Sequence, residues 1–375
     1  MKISRKWKRL WHRDKPSLLQ SVVKPAAVAV ALTATILLGS PSAYALPTDG
    51  TVTVGAGIIA KSGSTMTVTQ QTDKLAVNWQ SFNIAAGEKV QFVQPNAQAV
   101  ALNRVIGNNA SAIYGQLSAN GRVILINPNG VYFSPTARID TGALVASALN
   151  ISDSDFAAGK YRFTKGGGAG SVRNEGTITA ADGGYVALLG ESAVNEGVII
   201  ASKGTVALAS GEKATLDMTG DGLINLAVDQ GALNAQAANK GLIQADGGLV
   251  LMTARSAGTL AGTVVNNSGT IRANALSVPN GRIILDGGNA GAVSTGTLDA
   301  SGLAAGQTGG TVKVLGDTVT LGTGSHINVA GDSGGGTVLV GGNYQGKGPE
   351  QNAANATVEA GTTMTADAVT PGKRG

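Results

Sequence analysis

One unit recurs between Asn174 and Ile271, and its spacing limits what this chain can fold into. Asn174-Glu175-Gly176-Thr177-Ile178, Asn195-Glu196-Gly197-Val198-Ile199, Asn239-Lys240-Gly241-Leu242-Ile243 and Asn267-Ser268-Gly269-Thr270-Ile271 share the form N-x-G-x-I. An Ala follows two residues after each Ile (Ala180, Ala201, Ala245, Ala273), and the starts lie 21, 44 and 28 residues apart. The long interval reads as about two periods of 22. A second apolar run trails the first three units: Tyr185–Leu188, Thr205–Leu208 and Leu249–Met252. Short strands with Asn-Gly turns at this period are the mark of a parallel β-solenoid. Leucine-rich repeats share the period, but their L-x-x-L-x-L pattern is missing. A sandwich of hairpins also uses Asn-x-Gly turns, yet one unit recurring in register favours the solenoid. Each coil can bury its Ile, Val, Leu and Ala only against the coils before and after it, about 4.8 Å away. The repeat-turn residues Asn174, Gly176, Asn195, Gly197, Asn239, Gly241, Asn267 and Gly269 are then placed to stack along the axis, the asparagines as a hydrogen-bonded ladder.

The fold class expected is all-β: a right-handed parallel β-helix with an N-terminal β cap, preceded by a cleaved extended signal peptide. About 330 mature residues at about 22 per coil would give about 15 coils and a body about 70 Å long. The alternating runs Thr51–Val54, Thr65–Thr69, Leu75–Val77 and Val90–Val93 suit half-buried strands. A cap is expected there because a stack must hide its first open edge. Past Pro279 the unit loosens into Gly309–Val314 and Gly335–Val340, read as continuing coils.

Residues 1–45 read as a targeting segment. A basic leader precedes the apolar run Ala26–Leu38, and Ala43 and Ala45 supply the small residues of an A-x-A cleavage site, with cleavage after Ala45. About 13 apolar residues are too few to span a bilayer. This segment holds eight of the chain's 28 Lys and Arg and one of its 23 acids, so the formal charge of +5 becomes −2 without it. A mature chain so near neutral has no electrostatic footprint for nucleic acid. The chain has no cysteine, and an exported protein of this kind takes its stability from elsewhere than disulfides.

Few residues could carry chemistry. Catalytic residues, metal ligands and cofactors are all expected to be none. The mature chain has one histidine, His326, which cannot build a zinc site without cysteines. Gly166–Gly168 lack the Lys-Ser/Thr of a phosphate loop, and Gly220-Asp221-Gly222 and Gly331-Asp332 do not recur as calcium repeats do. The enzyme alternative is a secreted β-helical carbohydrate-active protein, in which Glu175, Asp182, Glu196 and Asp246 would stack on one face. Two carboxylates must then converge within about 5–10 Å, whereas repeat position already explains these four as solvated turn residues.

The stretch from Gly121 to Leu149 holds two β-rich runs, Val123–Ile126 and Val131–Phe133, split by Asn127-Pro128-Asn129-Gly130. Pro fixes φ, Asn tolerates the left-handed region and Gly takes it freely, so these four residues form a turn that aims the second strand. The run LINPNGVYFSPTARIDTGALVAS resembles the NPNG region of the two-partner-secretion domain, which opens filamentous-haemagglutinin-like exoproteins and the high-molecular-weight adhesins. Asn78–Ile84, Leu102-Asn103-Arg104-Val105 and Phe156–Phe163 are similar to further stretches of that family, in order. Val131 stands where the family usually has Ile, and Gln94-Pro95-Asn96-Ala97 is the nearest thing to the NPNL motif of one subfamily.

The resemblance covers roughly residues 46–300, leaving 301–375 as Gly-rich coils that start a longer adhesin shaft. It implies an outer-membrane partner transporter that reads the domain through periplasmic transport-associated domains. Inner-membrane passage would be by the Sec machinery with signal peptidase, and the protein would fold outside the cell, secreted or on the cell surface. Asn127, Pro128, Asn129 and Gly130 are the residues assigned to recognition, with Asn103 and Arg104 as weaker candidates. A host-cell receptor or glycan is the expected partner of an adhesin. The same domain also opens cytolysins, haem-scavenging proteins and contact-dependent toxins.

Overall fold

The computed structural model describes residues 45–168, 170–217, 223–258, 262–276 and 281–370. Residues 1–44, including Ala43, and Gly220-Asp221-Gly222 lie outside the described residues, as does the cleavage-site reading that rests on Ala43. Among the described residues three sheets of 11, 9 and 12 strands run the length of a β-helix. One rung takes a strand from each: Arg122–Ile126, Val131–Phe133 and Arg138–Thr141. The next rung opens with Ala143–Ser147, paired in parallel with Arg122–Ile126.

Register barely wavers. In the first sheet Val123, Leu144, Val186, Val206, Val250, Ile283 and Val312 form one inward column. In the third, Ile139, Ile178, Ile199, Ile243, Ile271, Leu298 and Ile327 form another. All belong to one core, because a branched side chain packs on its like one rung away. The N-terminal cap is antiparallel: Thr51–Val54 pairs with Lys74–Trp79, and Gly57–Ser62 folds back on Thr65–Gln70. Thr65–Gln70 then pairs in parallel with Lys89–Val93, which joins the cap to the stack.

Two expectations are corrected. Among the described residues the first sheet has ten rung strands once the antiparallel Thr51–Val54 is set aside, not about 15, so the stack they form is about 45 Å long. The 44-residue interval is not two coils. Asn195 and Asn239 are direct neighbours, and the surplus chain leaves the helix as the antiparallel pair Lys213–Asp217 and Asn225–Gln230.

A similar departure follows Ser147, where Leu149–Asn150, the short helix Asp153–Ala157 and Tyr161–Lys165 intervene before the next rung strand. The two excursions meet as one antiparallel sheet, with Tyr161–Lys165 paired to Lys213–Asp217. This side sheet lies over the outer face of the first sheet. Phe156, Tyr161, Phe163, Ala214 and Leu216 there form a second core with Ile124, Val145, Tyr185, Ala187 and Ala207. Tyr185–Gly190 and Thr205–Ser210 are therefore buried on both faces, and read as continuous rather than alternating apolar runs.

Candidate functional site

Asn127 is fully buried at the end of Arg122–Ile126. Its amide nitrogen donates to the Asn109 carbonyl at 2.9 Å and to Ser111 Oγ at 3.0 Å. Its Oδ1 accepts from the Asn129 backbone N–H at 3.0 Å, an Asx turn that starts the reversal. The Gly130 N–H closes the turn onto the Asn127 carbonyl at 2.9 Å, with φ of +113° at Gly130. Asn129 is exposed, yet its amide donates to the Gly107 carbonyl at 3.0 Å. Pro128 is covered by the glycines that follow Lys165. A Cβ at Gly168 or Gly170 would run into the Pro128 carbonyl, so those residues must be Gly for the loop to close on the turn. Of the run Gly166–Gly168, Gly168 thus has a packing reason, while a Cβ at Gly167 would meet nothing within 4 Å.

Asn103 and Arg104 stand two rungs nearer the cap than Ala143–Ser147. Asn103 is buried, and its Oδ1 accepts from Trp79 Nε1 at 3.0 Å. Arg104 points the other way. Its guanidinium donates to Asn150 Oδ1 at 2.9 Å, Asn78 Oδ1 at 3.0 Å and the Ile151 carbonyl at 2.6 Å, and pairs with Asp153 at 2.7 Å. It therefore pins the first excursion to the stack. Nothing in the sequence around Arg104 marks these partners. The Ser152–Asp155 spacing was a legible cue, since Ser152 Oγ caps the helix at the Asp155 N–H.

The four repeat asparagines are buried at the ends of second-sheet strands and bond in sequence. Asn174 donates to Asn195 at 2.8 Å, Asn195 to Asn239 at 2.8 Å and Asn239 to Asn267 at 2.9 Å. Beside them a Cβ at Gly197 would strike the Gly176 carbonyl, one at Gly241 the Gly197 carbonyl, and one at Gly269 the Gly241 carbonyl. Close approach of successive rungs, and not left-handed φ, is what requires glycine in this column. The Asn-Pro-Asn-Gly turn and this ladder belong to the same sheet but not to one cluster, since Phe133 occupies the ladder position on the turn's own rung.

The four carboxylates considered for catalysis each have a cationic partner. Arg173 pairs with Glu175 at 2.7 Å and also with Glu196, which Lys240 reaches at 2.7 Å. Asp182 pairs with Lys203 at 3.2 Å and Asp246 with Arg272 at 3.0 Å. The Tyr132 hydroxyl and then the Arg173 guanidinium hold the Glu175 carboxyl below its usual range. His326 Nδ1 lies 2.6 Å from Thr363 Oγ1. Among the described residues no group of three His, Cys, Asp or Glu could hold a metal.

A capped parallel β-helix with an Asn-Pro-Asn-Gly turn anchored by a buried Asn127, and a laminated first sheet, defines a structural module whose distinctive residues are used in folding. The model of the TPS secretion domain matches residues 43–300, and the chain belongs to that family. The crystal structure of the HMW1 secretion domain from Haemophilus influenzae aligns with a TM-score of 0.78 at 32% identity, covering 86% of this chain and 84% of that one. Two heme/hemopexin-binding proteins of Haemophilus influenzae are 35% identical over 254 residues and 32% identical over 263. These matches take in 65% and 64% of this chain and 27% of each relative, so the chain spans about a quarter of the length of the curated relatives it matches. The chain carries the secretion domain of a two-partner exoprotein, whose counterpart is an outer-membrane transporter and whose destination is the cell surface or the medium.

Proposed function

We propose that residues 46–300 are the export address and 301–375 the first coils of a longer shaft. Residues 1–45 are the extended signal peptide, carried by the Sec machinery and removed by signal peptidase after Ala45. The continued register through Thr363–Thr365 and the greater length of the curated relatives support this division. The polypeptide crosses the periplasm extended, and the transporter's periplasmic domains read its unpaired strands by strand addition. Rung-by-rung folding outside supplies the pull, since each rung needs only its neighbour.

The recognition residues are Asn127, Pro128, Asn129 and Gly130, with Asn103 and Arg104 secondary. The observation that carries the reading is that the fold consumes the polar groups of Asn127. They are free for a partner only before folding, which is when the transporter meets them. Replacing Asn127 and Asn129 together with Ala is expected to abolish secretion. Binding of the urea-unfolded variant to the isolated periplasmic domains separates recognition from folding. Normal export of the variant removes the assignment.

The module itself is non-enzymatic and uses no cofactor, a reading supported by the cation pairing of its repeat carboxylates. For the whole exoprotein, adhesion to a host-cell receptor or glycan is the first reading. Haem capture is the second, favoured by the two heme/hemopexin-binding relatives. A titration of haem and haemopexin against the full-length exoprotein distinguishes them.

A further inference from the structure

Glu88 is a buried acid with no cationic partner among the described residues. It is 3% exposed and sits where the Ala85–Glu88 turn enters the strand Lys89–Val93. Its Oε2 accepts from the Ala85 N–H at 2.8 Å, closing that turn, and from the Ala45 N–H at 3.2 Å. Its Oε1 is buried and has no hydrogen-bond partner among the described residues. Capping the turn needs only an amide oxygen, which Gln would supply without charge. A carboxylate in such a place is costly unless a cation meets it.

The backbone contact places the cleavage junction beside this carboxylate, one residue before the nitrogen that cleavage frees. Ala45 is the residue after which the signal peptide is read to be cut. The next residue, Leu46, is 2% exposed and lies in the main core. Two residues on, Thr48 is tied to the first rung by Thr48 N–H to the Ser81 carbonyl and Gln80 N–H to the Thr48 carbonyl, both at 3.0 Å. A terminus at Leu46 is therefore held in place. Cleavage adds water across the Ala45–Leu46 peptide bond. The carboxylate leaves with the signal peptide and the amine stays on Leu46, protonated below its ordinary pKa of about 7.7–8.0.

We propose that Glu88 is the counter-ion of this new α-ammonium, so that signal removal completes the N-terminal cap. In the structure Glu88 Oε2 is held by the Ala45 N–H, which cleavage removes, and the Leu46 nitrogen one residue on is a neutral amide until then. The first rung is then less stable until processing has occurred, which favours an unfolded chain on the near side of the outer membrane. The proposal rests on the cleavage position given above.

The test is a four-member cycle on the chain 46–375. One form begins at Leu46 with a free amine, and the other carries Ala45 behind a neutral Gly-Ser extension. Each is made with Glu88 and with Glu88→Gln. With Glu88, freeing the amine is expected to raise Tm by about 2–4 °C. With Glu88→Gln the two termini should differ by less than about 1 °C, as a cycle requires if the pair is real. Equal shifts in both backgrounds would overturn the proposal. Should Glu88→Gln not fold, acetylating the Leu46 amine of the Glu88 chain is the second arm: loss of the increment supports the pair, and an unchanged Tm overturns it. N-terminal sequencing of the exported protein tests the cleavage position separately, because the cycle uses chains with defined termini.

Discussion

Asn127 and Asn129 differ by two positions and by almost everything else. The first is buried and supplies three hydrogen bonds, while the second is exposed and holds one carbonyl. Asn127→Ala strands the buried Ser111 hydroxyl and drops the bond to the Asn109 carbonyl, and is expected to destabilise by about 1–3 kcal/mol in urea titration. Asn129→Ala should cost about 1 kcal/mol or less; equal losses would show that the turn is not organised from Asn127. The glycine column gives a sharper contrast. Gly241→Ala drives a methyl into the Gly197 carbonyl and the backbone of Glu196, for a loss of about 1–3 kcal/mol. Gly262→Ala, which meets nothing within 4 Å, should be neutral or slightly stabilising. If the two variants unfold at the same urea concentration, rung-to-rung contact is not what selects glycine.

The elements show which parts of the fold were legible. The N-x-G-x-I units gave the rung, its inward Ile and its glycine, because each rung meets the same neighbours and so repeats the same demands. The side sheet could not be counted from that pattern. A spacing of 44 measures residues between two rungs, and says nothing of whether the surplus stays in the helix. The continuous burial of Tyr185–Gly190 was the cue to a second covering layer. Arg104 was readable as a motif residue, but its clamp on Asn150, Ile151 and Asp153 depends on an excursion 46 or more residues later. The side sheet also has a pH signature. Burial pushes the Tyr185 phenol well above its ordinary value, and the Tyr161 phenol up as well. Below about pH 10 both folded and unfolded chains keep these phenols neutral. As pH rises past that value the unfolded chain ionises first, so the stability they contribute is lost on the alkaline side. Circular dichroism between pH 9 and 12 should show Tyr185→Phe holding its fold to higher pH than the parent chain. An identical alkaline midpoint would mean that the side sheet opens before the phenol is titrated.

At the scale of the whole stack, the two ends are not alike. The largest fully buried side chains, from Trp79, Phe82 and Phe92 to Phe133, Phe156 and Phe163, all precede residue 164. Farther along, the core at several positions narrows to Ala201, Ala245, Ala273 and Ala300. The first rungs also carry the antiparallel cap. More apolar area per rung means a larger contribution from burial, and nearest-neighbour stacking passes stability along only one rung at a time. The stack should therefore be graded, firm at the amino end and loose at the other. Native-state hydrogen exchange on the mature chain should find the slowest amides in Val100–Val105 and Arg122–Ile126, with protection falling toward Thr337–Val340. Ile243→Asp places a charge at a fully buried rung position. It should strip protection from Leu242–Gln244 and the rungs beyond, yet leave the amides of residues 100–126 slow, because those rungs rest on the cap and the side sheet. If that variant instead loses protection in residues 100–126 to the same degree, the domain unfolds as one unit. Rung-by-rung folding from the amino end could then not draw the chain through its transporter.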